Sequence, residues 1–190
     1  MEEKFRCFGT GLPLYEDYHD KEWGREVHDD SLLFELLTLE GAQAGLSWYI
    51  VLKKRNDYRL AFDNFDPNKV ALYDDNKIAS LLQNNNIIKN RLKILSTITN
   101  AKAIVEIIKK YGSFDKFIWS YVNYKPIVNH ITKYADFQSK TPLSDKISKD
   151  LLVLGFKFVG STIVYSFLQA IGMVNDHMVN CFVYKELLNQ

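Results

Sequence analysis

The sequence has few of the features that mark secreted or membrane proteins. No apolar run approaches the roughly 20 residues needed to span a bilayer, and Met1 to Phe5 show no signal-peptide pattern. The 24 basic and 23 acidic residues give a net charge of +1, so overall charge does not predict a polyanionic partner. We therefore expect a soluble, cytoplasmic protein in which any nucleic-acid surface is local.

Cysteine is also scarce, and repeats are absent. The only two cysteines, Cys7 and Cys181, lie nearly a chain length apart, which excludes a disulfide-rich scaffold. We find no internal repeat, no low-complexity tract and no convincing alternating strand. A length of 190 residues with 47% hydrophobic content fits one compact unit, or two small lobes sharing a core. The sequence predicts one all-α unit over residues 1–190.

Apolar residues recur at helical spacing through most of the chain. Gly41 is expected to end the first of the main helices in a left-handed conformation, and Gly112 to close the longest one. Asp66 and Pro67 predict a helix start, residues 84–86 a turn and residues 134–142 a loop. The predicted helices cover residues 31–39, 48–65, 74–82, 90–111, 114–121, 143–154 and 163–171.

Residues 39–48, Leu-Glu-Gly-Ala-Gln-Ala-Gly-Leu-Ser-Trp, place a carboxylate and an indole between two apolar helical segments. Glu40 falls at a helix C-terminus, where the helix macrodipole disfavours an anion, so local stability does not explain this residue. It is either a solvent-exposed glutamate in a loop or a carboxylate that binds a cation.

A second glycine-bracketed segment lies between two predicted helices near the C-terminus. Gly155 and Gly160 are five residues apart and enclose Lys157, so backbone N–H groups at the start of the second helix can hold a phosphate. The pattern resembles a helix-hairpin-helix DNA-binding element. An ordinary helix-helix corner would show the same glycine spacing.

Histidine and cysteine occur together near both ends of the chain. His177 and Cys181 are four residues apart and would share one face of a helix. Cys7 and His19 would complete a tetrahedral zinc set without an open position, which is typical of a structural site. The alternative is two cysteines buried as small hydrophobic residues.

Five stretches together resemble the bacterial DNA-3-methyladenine glycosylase I family over nearly everything from Cys7 to Cys181. This resemblance implies a helix-hairpin-helix glycosylase fold, with the hairpin at about 144–172. The stretches are YHDKEWG at 18–24, LEGAQAGLSW at 39–48, VLKKR at 51–55, GFKFVG at 155–160 and VNDH at 174–177.

The resemblance also implies site residues. Catalysis is assigned to Glu40, and the base pocket to Glu40, Tyr18 and Trp48. Phe8 stands where the family often has a tryptophan, so we expect Phe8 to form part of the base pocket. Asp176 falls near an aspartate that most helix-hairpin-helix glycosylases use, but this family works without it. A structural zinc ion is expected to join the two chain ends through Cys7, His19, His177 and Cys181.

The expected reaction is removal of N3-methyladenine from double-stranded DNA by a monomeric, monofunctional enzyme that flips the base out and leaves an abasic site. The methylated base is cationic and leaves as a neutral molecule, so a strong general acid is unnecessary. A wedge loop is expected at Gln43, Gly45 and Leu46. Lys157 and Gly160 are expected to contact DNA, and further phosphate contacts are predicted for Lys53, Lys54, Arg55, Lys89 and Arg91.

Two other classes of protein share part of this pattern. A non-enzymatic helix-hairpin-helix module would keep the hairpin, but it would not need Glu40 among aromatic residues. A zinc hydrolase would need an open metal position with a base beside it, and four protein ligands argue against that.

Overall fold

The computed structural model describes residues 4–188 and is mostly helical, which confirms the predicted class. The predicted unit of residues 1–190 also includes residues 1–3 and 189–190, which lie outside the described residues. Over the described range, the helices are α1 (Pro13–Lys21), α2 (Asp30–Gln43), α3 (Trp48–Ala61), α4 (Pro67–Val70), α5 (Asp75–Gln83), α6 (Arg91–Tyr111), α7 (Phe114–Trp119), α8 (Pro142–Val153), α9 (Ser161–Ala170) and α10 (Phe182–Leu188).

Two short strands form a parallel pair that the sequence did not predict. β1 (Ile127–Val128) pairs with β2 (Val174–Asn175), and Ile127 lies opposite Val174. A strand of two residues is too short to show an alternating pattern, so its position depends on contacts between distant segments.

The predicted end of α6 at Gly112 is confirmed. Gly112 ends the helix with a φ of 91°, and at the other end the side chain of Asn90 accepts the backbone N–H of Lys93, a cap that was not predicted. Asp66 caps α4, as predicted, and Pro67 is the first residue of that helix. The signals at Gly112 and Asp66 could be read because each lies directly beside the helix it stops or starts.

α2 is surrounded by the rest of the fold. Every residue from Leu33 to Ala42 is buried, and the helix packs against α3, α6, α7 and α9. Polar groups on α2 are therefore buried as well. Glu35 is paired with Arg59, whose guanidinium nitrogens lie 2.7 and 2.8 Å from the two carboxylate oxygens.

The prediction for Gly41 is wrong. α2 continues through this residue to Gln43, and the glycine with positive φ is Gly45, at 81°. Gly41 instead allows a close approach of the 154–160 turn, because a Cβ added there would lie 3.2 Å from the Cβ of Phe158. The small residue thus serves helix packing rather than helix termination.

Three other predicted boundaries also differ. The helix predicted over 48–65 ends at Ala61, and Asp63–Phe65 form a 3-10 turn with positive φ values. This turn keeps Phe65 fully buried. The helix predicted over 114–121 ends at Trp119, and the loop predicted over 134–142 contains a 3-10 turn at Tyr134–Asp136.

α8 and α9 are joined by the tight turn 154–160. Both the N–H and the carbonyl of Lys157 bond to the side-chain amide of Asn100 on α6, at 2.8 and 3.0 Å. Gly155 has a φ of 91°, whereas Gly160 is the extended N-cap residue of α9. The turn is therefore fixed against α6 while the side chain of Lys157 stays exposed.

No helix among residues 4–188 is long and apolar enough to cross a bilayer.

Gly172 should be essential for stability. Its φ is 72°, and a Cβ added there would lie 2.3 Å from the backbone carbonyl carbon of Arg25. We expect Gly172→Ala to lower the free energy of unfolding by about 3 kcal/mol or more, because backbone strain and a backbone clash add together. Urea denaturation measures this change.

Gly11→Ala is the matched control. Gly11 has a φ of 86°, but nothing lies within 4 Å of an added Cβ. In this variant the free energy of unfolding should fall only by the cost of the backbone strain, about 1–2 kcal/mol. Equal losses in the two variants would contradict a role for close packing at Gly172.

Candidate active site and metal cluster

A cavity of about 240 Å³ opens beside the last turn of α2. Its walls come from the segment before α1, from α1, α2, α3 and α9, and from the loop that follows β1. Most of the lining is aromatic, with few polar groups. The residues are Phe8, Tyr15, Tyr18, Trp23, Glu40, Gln43, Trp48, Phe137, Ser166 and Gln169.

Glu40 is the acidic group of this cavity. Only 5% of the residue is exposed, so the interpretation as a solvent-exposed loop glutamate is wrong. Among residues 4–188, the carboxylate has no hydrogen-bond or ion-pair partner, unlike Glu35 on the same helix. Burial raises the pKa of Glu40 from 4.5 to about 8, because the charged form loses its hydration. The carboxylate can therefore be stabilised by a cation that enters the cavity.

Aromatic rings stand around this carboxylate. The ring centroids of Tyr18 and Trp48 are 5.4 Å apart, and Phe8 lies 4.9 Å from Tyr15 and from Trp23. Burial, followed by the charge of Glu40, raises the pKa of Tyr18, so this phenol stays neutral. The indole N–H of Trp48 is buried without a partner among the described residues. The walls thus offer π faces and, at Trp48, a buried donor that can bind a ligand.

The structure brings the four predicted pocket residues to this cavity, together with Gln43 of the predicted wedge loop, whereas Gly45 and Leu46 do not line it. The four are Phe8, Tyr18, Glu40 and Trp48. Sequence reasoning missed the other five. Tyr15 and Trp23 belong to the dense aromatic and acidic stretch at 15–24, which was a usable signal. Ser166 and Gln169 are three residues apart on the otherwise apolar α9 and so share one face.

Asp176 does not reach this cavity as a free carboxylate. It is 1% exposed and accepts hydrogen bonds from Asn129 at 2.7 Å, Tyr165 at 2.6 Å and Gln169 at 2.7 Å. Three donors hold it in a fixed position, which agrees with leaving it out of the catalytic set.

Cys7, His19, His177 and Cys181 form a buried cluster that could hold a metal ion. Their ligand atoms all lie within 4.8 Å of one another. The Sγ of Cys181 is 3.5 Å from Nε2 of His19 and 3.6 Å from Nδ1 of His177, and the Sγ of Cys7 is 3.7 Å from the latter. Tetrahedral zinc with sulfur and nitrogen ligands would place such atoms about 3.3–3.8 Å apart. The donor set therefore fits a zinc ion.

Hydrogen bonds around the cluster orient both imidazoles. His19 Nδ1 donates to Asp20 at 2.8 Å, and His177 Nε2 donates to the carbonyl of Trp23 at 3.0 Å. Each ring thus turns its unprotonated nitrogen towards the cluster, as metal-ligating histidines do. The hydrogen bond from the Cys7 thiol holds the pKa of Cys181 well below its usual range.

The helical face predicted for His177 and Cys181 is not present. Met178 forms a bridge to Ile131, and the N–H of Cys181 donates to the carbonyl of Met178 in a turn before α10. A turn brings the two ligands together as effectively as a helix would. All four candidate ligands are buried, and together they would fill a tetrahedral coordination shell, without the open metal position that a zinc hydrolase needs.

Most of the predicted DNA contacts lie on exposed positions; the exceptions are Gln43, which is half-buried at the cavity, and parts of the basic set. Leu46 is 38% exposed, an added Cβ at Gly45 would meet open space, and Gly160 is exposed. Arg55 is not free for phosphate, because it forms a two-point pair with Glu22 at 2.5 and 2.7 Å. Lys54 donates to two backbone carbonyls of the 84–86 turn.

Comparisons with known proteins agree with this geometry. A family model described as methyladenine glycosylase matches residues 9–184. The chain is 48% identical to DNA-3-methyladenine glycosylase 1 of Escherichia coli K12 over 172 residues, which cover 90% of this chain and 92% of the relative.

Solved structures show the same likeness. One structure of 3-methyladenine DNA glycosylase I superposes with a TM-score of 0.91 at 46% identity, covering 94% of this chain and 98% of the other. A structure described as the basis of 3-methyladenine recognition by the Staphylococcus aureus enzyme has a TM-score of 0.90 at 41% identity, covering 93% and 94%. The chain therefore belongs to the methyladenine glycosylase family and is an enzyme that hydrolyses N-glycosyl bonds.

Proposed function

We propose that this enzyme removes 3-methyladenine from alkylated double-stranded DNA and leaves an abasic site. The observation that carries the proposal is the Glu40 carboxylate, which is buried in an aromatic cavity and has no cationic partner in the described part of the chain. A base that carries a positive charge would supply the missing partner. The relatives whose names specify 3-methyladenine support this choice of substrate.

Charge is the main basis of recognition in this proposal. Free Glu40 is mostly protonated at pH 7, since its pKa is about 8. A cationic base lowers that pKa as it enters, so the proton leaves and an ion pair forms in a site shielded from water. Tyr18 and Trp48 hold the ring by stacking and cation–π attraction. A neutral adenine would gain the stacking but would leave the burial cost of the carboxylate uncompensated.

The chemical step follows from the same charge. The bond between the ring nitrogen and C1′ breaks, and its electron pair neutralises the cationic base, which leaves as neutral 3-methyladenine. A water molecule adds its oxygen to C1′ and loses a proton. Glu40 is the catalytic residue because it contacts the reacting base. No lysine is among the described residues that line the cavity, which supports a monofunctional hydrolase without a Schiff base.

The 154–160 turn, with α8 and α9, is proposed to act as a helix-hairpin-helix that holds the DNA backbone. The exposed side chain of Lys157 and the N-terminus of α9 at Gly160 would meet phosphates. Gln43, Gly45 and Leu46 would fill the gap that the flipped base leaves. Flipping costs least for a damaged base, which adds selectivity. We propose that residues 1–190 act as one monomeric, cytoplasmic DNA-repair unit.

Zinc is the proposed metal of the buried cluster. When bound by Cys7, His19, His177 and Cys181, it would cross-link the two ends of the chain and supply structural stability only. The orientation of both imidazoles and the spacing of the ligand atoms support this assignment.

Glu40→Gln should slow single-turnover release of 3-methyladenine at least about tenfold. Gln keeps the size of the side chain but removes the anion, and hydrogen bonds to charged groups are worth about 1 kcal/mol more than neutral ones. In the parent, kcat/KM should rise with pH up to about 8, as Glu40 ionises in the free enzyme. In Glu40→Gln, kcat/KM should not show this rise with pH. Base release measured across pH tests both expectations.

Stability provides the control for the same variant. The folded-state pKa of Glu40 is raised, so the parent should lose free energy of unfolding as pH rises from 4.5 to about 8. The free energy of unfolding of Glu40→Gln should fall less over that pH range. The variant should also bind undamaged duplex with the affinity of the parent. A parental rate in this variant would show that the carboxylate has no role in catalysis.

Cys181→Ala should lose the metal and stability, with excision per folded molecule preserved. Purified parent should contain one zinc per chain by elemental analysis, and the variant should contain none. The free energy of unfolding should fall by at least about 3 kcal/mol, because metal binding energy is folding energy. A chelator should lower the melting temperature of the parent but not of the variant. A folded, active parent without zinc would refute the assignment.

Lys157→Ala should weaken binding to all duplexes alike and reduce the salt slope of log K by about one, since a phosphate contact carries no base information. The Asn100 bonds involve the backbone of Lys157, so the turn should persist. Lys125→Ala removes the same charge from an exposed residue just before β1 and serves as the control. Equal slopes for the two variants would argue against a phosphate contact at Lys157.

A further inference from the structure

Lys93 occupies a position that its own helix does not favour. It lies in the first turn of α6, where the macrodipole disfavours a cation, and its backbone N–H is capped by Asn90. Burial lowers the pKa of its ammonium, and no carboxylate of residues 4–188 lies within ion-pair distance. The cost of burying this ammonium must therefore be offset by contacts with another part of the structure.

That compensation comes from the end of α2. The ammonium donates to the carbonyl of Ala42 at 2.7 Å and to that of Ala44 at 2.8 Å. α2 has no basic residue in its own last turn, so its terminal carbonyls lack a local cation. Lys93 supplies positive charge and two hydrogen bonds from a different helix.

The loop that Lys93 holds connects two walls of the cavity. Residues 44–47 are exposed and run from Gln43, at the end of α2, to Trp48, at the start of α3. Inside the loop, the N–H of Leu46 donates to the carbonyl of Gln43 at 2.6 Å. Over the described part of the chain, the Lys93–Ala44 bond is the only hydrogen bond from a distant element to residues 44–47.

We infer that Lys93 is a positioning residue that holds the loop at residues 44–47 in the shape needed to fill the gap left by an extruded base. The inference rests on the proposed function. A loop ordered in advance loses less entropy when it enters the duplex. Lys93 should therefore matter when a base must be taken out of a stacked duplex. It should matter little when the base is already free or single-stranded.

The test compares Lys93→Met with the parent on three ligands. Single-turnover release of 3-methyladenine is measured from duplex and from single-stranded DNA methylated to the same extent, and free 3-methyladenine is titrated by calorimetry. We expect release from duplex to fall about tenfold, or ~1.4 kcal/mol, with less than about twofold change in the other two measurements. Lys93→Arg should recover most of the rate, because a guanidinium can donate to both carbonyls.

Lys102→Met is the matched control, since it removes the same charge from an exposed position of α6 that makes no contact with the loop. It should excise from both substrates like the parent. Equal losses on duplex and single-stranded DNA, lost affinity for the free base, or a parental duplex rate in Lys93→Met would each overturn the inference. A parent that releases no 3-methyladenine from any substrate would overturn the proposed function itself, and the inference with it.

Discussion

The burial of α2 from Leu33 to Ala42 is the constraint on which the rest of the structure depends. A helix enclosed by four others cannot keep a polar face in water, so each ionisable group on it needs compensation from a neighbour. Glu35 obtains this from Arg59, which lies on α3. Glu40, five residues later, has no such neighbour among residues 4–188. The same helix therefore carries one carboxylate that stabilises the fold and one that is left for an incoming charge.

Under the proposed function, this arrangement makes charge the first criterion by which the pocket selects a base. The aromatic walls around Glu40 accept any flat ring, because a π face does not distinguish one purine from another. The uncompensated carboxylate does distinguish them, since only a cationic ring relieves the cost of its ionisation. Methylation at N3 gives adenine that charge and weakens the glycosidic bond at the same time. Recognition and activation of the substrate would thus share one physical cause.

The sequence predicted those features whose signals are local or chemically distinctive. The end of α6 at Gly112 and the start of α4 at Asp66 follow from residues beside the helix ends, and the four metal-ligand candidates follow from their rarity. Gly41 was misassigned because its role depends on Phe158, more than a hundred residues away. Arg55 was misassigned for a similar reason, since a charged helix face does not reveal that Glu22 lies against it. The ladder of β1 and β2 and the pocket residues on α9 also depend on tertiary contacts.

The metal cluster has a consequence for the order in which this enzyme can fold. Cys7 is followed in the chain by Phe8, and His19 follows Tyr18, while the carbonyl of Trp23 bonds to His177. Three residues that line the cavity, Phe8, Tyr18 and Trp23, are thus held in place by contacts between the two ends of the chain. Such contacts close the longest loops and carry the highest entropic cost. The cavity should be among the last parts of the molecule to mature, and a chain that has not yet added His177 and Cys181 would have a helical core but an unfinished cavity.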